Sequence, residues 1–175
     1  MKGKAFVKVS RKSKAPELNA ALEKLRRTEV YVGIASGSKG DARKDKGPDN
    51  HLLGYVHEFG SPAQNIPARP FLRPGVAGAK EIVSSGFAAA MKAALADNEP
   101  AMTAALERTG MRVVSQVKKY MQTADFVPLS PEYLKHRNRS RLTKSKRANE
   151  LKGVKVRPLI NTGALRNALD FYVKE

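Results

Sequence analysis

Three prolines within eight residues constrain this chain more than any other feature. They are Pro67, Pro70 and Pro74 in Ile66-Pro67-Ala68-Arg69-Pro70-Phe71-Leu72-Arg73-Pro74. Each proline fixes its own φ and has no N–H to donate. Each also drives the residue before it toward extended geometry. Ile66, Arg69 and Arg73 are therefore expected to be extended, and the segment to be neither a helix nor a central strand. Yet Ile66, Phe71 and Leu72 are large and apolar, which a solvated loop does not need. The stretch reads as a stiff, extended, partly apolar arm. Such an arm either pins a helix to its own core or docks on another subunit.

The elements around the arm follow from local patterns. Pro16 suits a first helical turn, and Leu18, Ala21, Leu22 and Leu25 then keep helical spacing, which predicts a helix over 16–27. Glu29 to Ile34 is rich in β-branched and aromatic residues and reads as a core strand. Weak alternation at Phe6, Val7 and Val9 allows an edge strand over 4–10. Asp49 or Asn50 can cap the next helix, with Leu52, Leu53, Val56 and Phe59 as its apolar stripe. Gly60 suits the position after its end, where φ is often positive. Beyond the arm a long helix is predicted over 75–96, with Val76, Val83, Phe87, Met91 and Ala94 on its buried face. Asn98 and Pro100 stop that helix and restart the next, which runs to 123. Met102, Leu106, Val113, Val117, Tyr120 and Ala124 step along it as one amphipathic face. The two helices are expected to form an antiparallel hairpin. Ser130-Pro131 opens a short basic helix over 132–139. Asn161 or Thr162 caps another through Leu169, and Phe171, Tyr172 and Val173 end as a strand. The fold expected is α+β: a small, mostly antiparallel sheet from 4–10, 29–34 and 170–175, packed by two long helices.

A length of 175 residues suits a single domain with a real core. Its net charge of +17 is concentrated in two places. Residues 1–14 carry +6 and residues 135–157 carry +9, so the rest is nearly neutral. Three appendages follow: a basic N-terminal extension over 1–15, a flexible polar loop over 36–50, and a basic loop region over 135–157. Basic clusters attract nucleic acid or acidic protein surfaces. The basic patch expected to do so is Arg137, Arg139, Arg141, Lys144, Lys146 and Arg147. Only Phe6 and Tyr133 are aromatic near these stretches, so contact with nucleic acid would be phosphate-driven and blind to sequence.

Catalytic signatures are missing from the sequence. It has no cysteine, hence no disulfide framework and no thiolate nucleophile or ligand. No nucleophile elbow, Walker loop or dinucleotide fingerprint occurs. A zinc-peptidase reading of His57-Glu58 needs a second histidine at position 61, which is Ser61. Asp41, Asp45 and Asp49 recur at every fourth residue, unlike the alternate-residue acids of a calcium loop. His136-Arg137-Asn138 lacks the paired carboxylates that phosphodiester hydrolysis recruits. No enzymatic activity, cofactor or metal is expected. The N-terminal lysines precede no apolar h-region, so no signal peptide is expected, and no apolar run approaches a membrane span.

The motifs in their joint order carry a resemblance. The order is a Val30-Tyr31-Val32-Gly33-Ile34 strand, an apolar helix ending His57-Glu58-Phe59-Gly60, and a short polar loop. The proline arm and a long helix follow, then Val127-Pro128-Leu129-Ser130 and Pro158-Leu159-Ile160-Asn161-Thr162-Gly163-Ala164-Leu165-Arg166. From about residue 29 onward this resembles the tail-completion and head–tail joining proteins of tailed bacteriophages, a family of minor tail and virion morphogenesis proteins. Residues 1–15 and 36–50 lie outside the likeness. The resemblance implies a structural protein that forms a homo-oligomeric ring at the neck or tail end of the virion. It would be assembled in the host bacterial cytoplasm, against neck, connector and tail-tube proteins. The residues implied to shape the docking surface are His57, Glu58, Phe59, Gly60, Pro67, Arg69, Pro70, Phe71 and Arg73. The reading that competes with it is a nucleic-acid-binding protein without sequence specificity, acting through the basic stretches.

Overall fold

The computed structural model describes residues 15–37, 41–42, 47–134 and 157–174. The expected strand over 4–10, most of the helix over 132–139 and the basic patch lie outside the described residues.

Helix α5 (Glu99–Thr123) is the spine. Asn98 caps it, its side-chain oxygen accepting from Ala101 N at 3.0 Å, and Pro100 occupies the first turn, where no donor is lost. Met102, Leu106, Val113 and Val117 are buried as their spacing predicts, joined by Ala105, Val114 and Met121. Helix α4 (Lys80–Leu95) runs back along it, so the expected antiparallel hairpin forms. Its buried line is Gly86 and Ala90, with Phe87 and Ala94 half-buried beside it. Small residues let the two helices approach closely.

Helix α1 (Ala15–Arg27) lies against α4 and buries Ala21, while Leu18 and Leu22 of its apolar stripe stay exposed. Strand β1 (Glu29–Gly33) pairs antiparallel with β2 (Asp170–Lys174), joining Val30 to Val173 and Val32 to Phe171. These four side chains face the helices, and the rings of Tyr31 and Tyr172 stack on the outer face at 4.8 Å. Gly110 of α5 makes this contact possible, because a Cβ there would lie 2.3 Å from the Phe171 ring. The fold is the α+β arrangement expected, with a two-stranded antiparallel sheet among the described residues. No helix of the described residues is long and apolar enough to cross a membrane.

The single helix expected over 75–96 is two. Helix α3 (Leu72–Ala77) starts inside the proline arm and ends at Gly78, before α4 begins. Arg73, expected to be extended, is helical. The prolines did not prevent this, because Pro74 sits in the first turn, where its missing N–H costs nothing. The break at Gly78 and Ala79 lets both segments rest on α5, with Gly75 against Val117 and Gly86 against Thr109. Near the C-terminal strand, α6 (Ala164–Asn167) is shorter than expected, and its cap position is Gly163.

Candidate functional site

Helix α2 (Asn50–Phe59) organises the region that the proline motif marked. It has three sides, and they are not the ones its apolar spacing predicts. Asn50, Gly54 and Glu58 are its buried residues. Leu53 meets the core and, with His57, lines a cleft. Leu52, Tyr55 and Phe59 are 48%, 63% and 53% exposed and form an outward ridge. The expected stripe is thus split between the core and solvent. The buried side carries a carboxylate that binds backbone from a neighbouring segment.

Glu58 supplies that carboxylate. Its carboxylate is 4% exposed and accepts from Phe71 N and Leu72 N at 2.8 Å. It also accepts from Arg73 N and Arg73 Nε at 3.1 Å. Phe71 precedes α3, and Leu72 and Arg73 are its first residues. Pro74 has no N–H, and Gly75 N makes the first intrahelical bond, to Phe71 O. One carboxylate therefore satisfies every free donor at the start of α3. Burial pushes the Glu58 carboxyl up, but the backbone N–H groups and the Arg73 side chain outweigh it and hold it below its ordinary value.

The arm is tied down along its length. A 3₁₀ turn (Pro62–Gln64) closes a small bridge, in which Ser61 N donates to Ile66 O and Ile66 N to Ser61 O. Arg69 N donates to His57 O at 2.6 Å, satisfying a carbonyl at the end of α2. Gly60 has φ +80°, as its position predicts, and a Cβ there would meet Ala68 N at 2.9 Å. Phe71 is fully buried in the main cluster with Val117, Met121, Leu159 and Leu165.

Arg69 points inward. It is 5% exposed, and its Nε and Nη2 donate to Val127 O at 2.8 Å and Pro128 O at 3.0 Å. That contact fastens the segment after α5 onto the arm. The ion pairs among the described residues are Lys24–Glu99, Arg26–Glu23, His51–Asp41 and Arg73–Glu58, so Arg69 has no carboxylate partner there. His57 stands close to it. Burial, and then the Arg69 cation, hold the His57 imidazole below its ordinary value, and its Nδ1 has no hydrogen-bond partner.

These groups line a cleft of about 710 Å³. Ile66, Pro67 and Arg69 form one wall, Pro128, Leu129, Ser130 and Tyr133 a second. The third runs from Pro158 to Leu165 and includes Asn161 and Thr162. The three motifs that are far apart in sequence thus meet around one space. Of the nine motif residues, Glu58, Gly60, Arg69 and Phe71 hold the arm in place from inside. His57, Pro67 and Arg69 border the cleft. Phe59 and Arg73 stand outside, with the Arg73 guanidinium 4.9 Å above the Phe59 ring. Pro70 is half-buried between these groups.

Asp41 was not marked by any motif beyond its four-residue spacing with Asp45 and Asp49. It is buried, and its carboxylate accepts from Gly37 N, His51 N and the His51 ring, while its carbonyl accepts from Asn50 N. It does for α2 what Glu58 does for α3, in place of the side-chain cap expected from Asp49 or Asn50: Asp49 holds the cap position without a side-chain bond, and Asn50 is the first helical residue. Burial pushes its carboxyl up, and the bonds from His51 and Gly37 bring it below its ordinary value. Ligand-type atoms of Asp41, Asp49 and His51 lie within 4.8 Å of one another. The bonds from the α2 terminus account for the position of Asp41 without an ion.

Compared with protein-family models, curated proteins and solved structures, the chain has no match.

Proposed function

We propose that this chain is a structural virion protein of a tailed phage, forming a ring at the neck or tail end that completes the tail or joins it to the head. The observation that carries the reading is the convergence of three separate motifs on one cleft. Ile66–Arg69, Pro128–Ser130 and Asn161–Leu165 are up to a hundred positions apart, yet they border the same space. Motifs whose order resembles one family, and which build one surface, support a shared docking role more than three coincidences do.

A closed ring is built from head-to-tail contacts, so each subunit needs two different surfaces. The cleft is one. The ridge of Leu52, Tyr55 and Phe59, with Arg73 beside it, is the other, on the far side of α2. This ridge was not expected from the sequence, which placed Leu52 and Phe59 on one apolar stripe with Leu53 and Val56. The reading requires no catalytic group.

Deleting the gene from the parent phage and supplying the protein in trans tests the proposal. Heads and tails should accumulate unjoined, or tails incomplete, until the protein is restored. Labelled protein should then be seen at the neck or tail end by negative-stain imaging. Complete, infectious particles without the protein would overturn it.

A further inference from the structure

Among the described residues, the cleft is lined by a buried cation and by no acid. Arg69 and His57 are the basic residues that line it among the described residues, and no Asp or Glu does. Arg69 commits Nε and Nη2 to two backbone carbonyls, while Nη1 has no hydrogen bond among the described residues. Carbonyls satisfy donors but do not neutralise charge. A buried guanidinium is normally paired, because leaving water uncompensated is costly. An anion is the complement that the described lining lacks.

We infer that the cleft receives an extended peptide segment from a partner chain and holds a carboxylate of that segment against Arg69. Guanidinium groups match carboxylates and phosphates alike, so the walls decide between them. Leu53, Ile66, Pro67, Leu129, Pro158 and Leu159 give an apolar lining suited to peptide side chains. Ser130 and Thr162 also line the cleft, and their hydroxyls, which accept from Tyr133 N and Ala164 N, each keep a proton to donate to a peptide carbonyl. A nucleic-acid backbone would need a row of cations, and among the described residues the lining offers one guanidinium beside an imidazole whose neutral form is favoured. The inference rests on the docking reading of the cleft but not on the virion assignment. Peptide titration tests the first, and particle assembly tests the second.

His57 supplies the readout. The Arg69 cation helps to depress its titration, and Tyr133 lies near enough to Arg69 to interact with it electrostatically. A bound carboxylate offsets the Arg69 charge, so the His57 midpoint should rise. The experiment follows the histidine ring signals of the full chain by NMR, with His57→Gln identifying the resonance. The probes are N-acetyl-Leu-Glu-Leu-amide, its Gln counterpart, N-acetyl-Leu-Leu with a free C-terminus, and inorganic phosphate. The expected result is a saturable shift and a raised midpoint with at least one carboxylate peptide. The Gln peptide should bind at least about tenfold more weakly, since the buried cation then meets a neutral group. The two carboxylate peptides tell a side-chain source from a chain terminus. Equal binding of the Glu and Gln peptides, with none by the free-terminus peptide, would overturn the inference. So would no saturation by either carboxylate peptide, or phosphate binding as tightly as the better of them. These comparisons use the unaltered protein, so none depends on whether an Arg69 variant folds.

Discussion

Glu58→Gln removes one charge and one acceptor from the start of α3 and leaves the side-chain volume unchanged. The retained amide oxygen can take the place of Oε2, accepting from Phe71 N and Leu72 N at 2.8 Å. Those two bonds lose their charge assistance and about half their strength. The amide NH₂ then occupies the place of Oε1 and faces Arg73 N and Arg73 Nε, which are both donors. The Arg73 side chain is mostly exposed and can turn to water, so its loss costs little. A part-buried backbone N–H without a partner costs about 1–3 kcal/mol. With the two weakened bonds, the expected destabilisation is about 2–4 kcal/mol. For a chain of this size that is a fall in Tm of roughly 5–15 °C. Because the folded Glu58 carboxyl sits below its ordinary value of 4.5, the unfolded chain takes up the proton more readily. The contribution of Glu58 is therefore full above that value and is lost as pH falls through the folded one. Urea unfolding of both proteins from neutral pH downward should show the gap at its widest near neutrality. It should narrow below about pH 4.5, as wild-type Glu58 becomes neutral too. Wild-type stability at neutral pH, or a gap indifferent to pH, would refute the assignment of Glu58 as the carboxylate that starts α3.

Other outcomes follow from the same structure. Arg69→Ala should lower stability by about 1–3 kcal/mol, since it strands the carbonyls of Val127 and Pro128, and thermal melting measures this. Gly110→Ala should cost about 1–3 kcal/mol or more by pushing Phe171 off α5, read as a reduced urea midpoint. Tyr55→Ser with Phe59→Ser should leave melting within about 1 kcal/mol, because both rings are exposed, but should abolish particle joining if the ridge is a ring contact. Light scattering on the isolated protein should find a monomer or weak oligomer, the ring forming only on its virion template; a tight dimer would count against this. Retention on a DNA column should be weak and steeply salt-dependent, and should vanish when Arg137, Arg139, Arg141, Lys144, Lys146 and Arg147 are neutralised. Nanomolar, sequence-selective binding would favour the nucleic-acid reading instead.

Local rules sufficed wherever a residue's task concerns its own backbone. Asn98 and Pro100 start α5, the apolar steps from Met102 to Val117 mark its buried face, and Gly60 takes a positive φ. The pairing of Glu29–Gly33 with Asp170–Lys174 also suits their β-rich composition, although only the fold chose the register. The proline arm was visible as a special segment, because prolines act on φ whatever surrounds them. Its details were decided elsewhere. Arg73, expected to be extended, became helical because Glu58, 15 positions away, accepts the free donors at the start of α3, and the long helix divided further on, at Gly78 and Ala79, where both segments could rest on α5. The same burial turned α2 around, since Asn50 and Glu58 face inward while Leu52 and Phe59 face solvent. Hydrophobic spacing assumes that apolar groups are the ones worth burying, and a carboxylate with four donors around it reverses that ranking. Arg69, which the resemblance placed on a docking surface, points inward, and nothing in its neighbours reveals the carbonyls of Val127 and Pro128, 58 and 59 positions away. The cleft belongs wholly to the tertiary structure, because its three walls become neighbours only when the arm, the end of α5 and the last helix pack on one core.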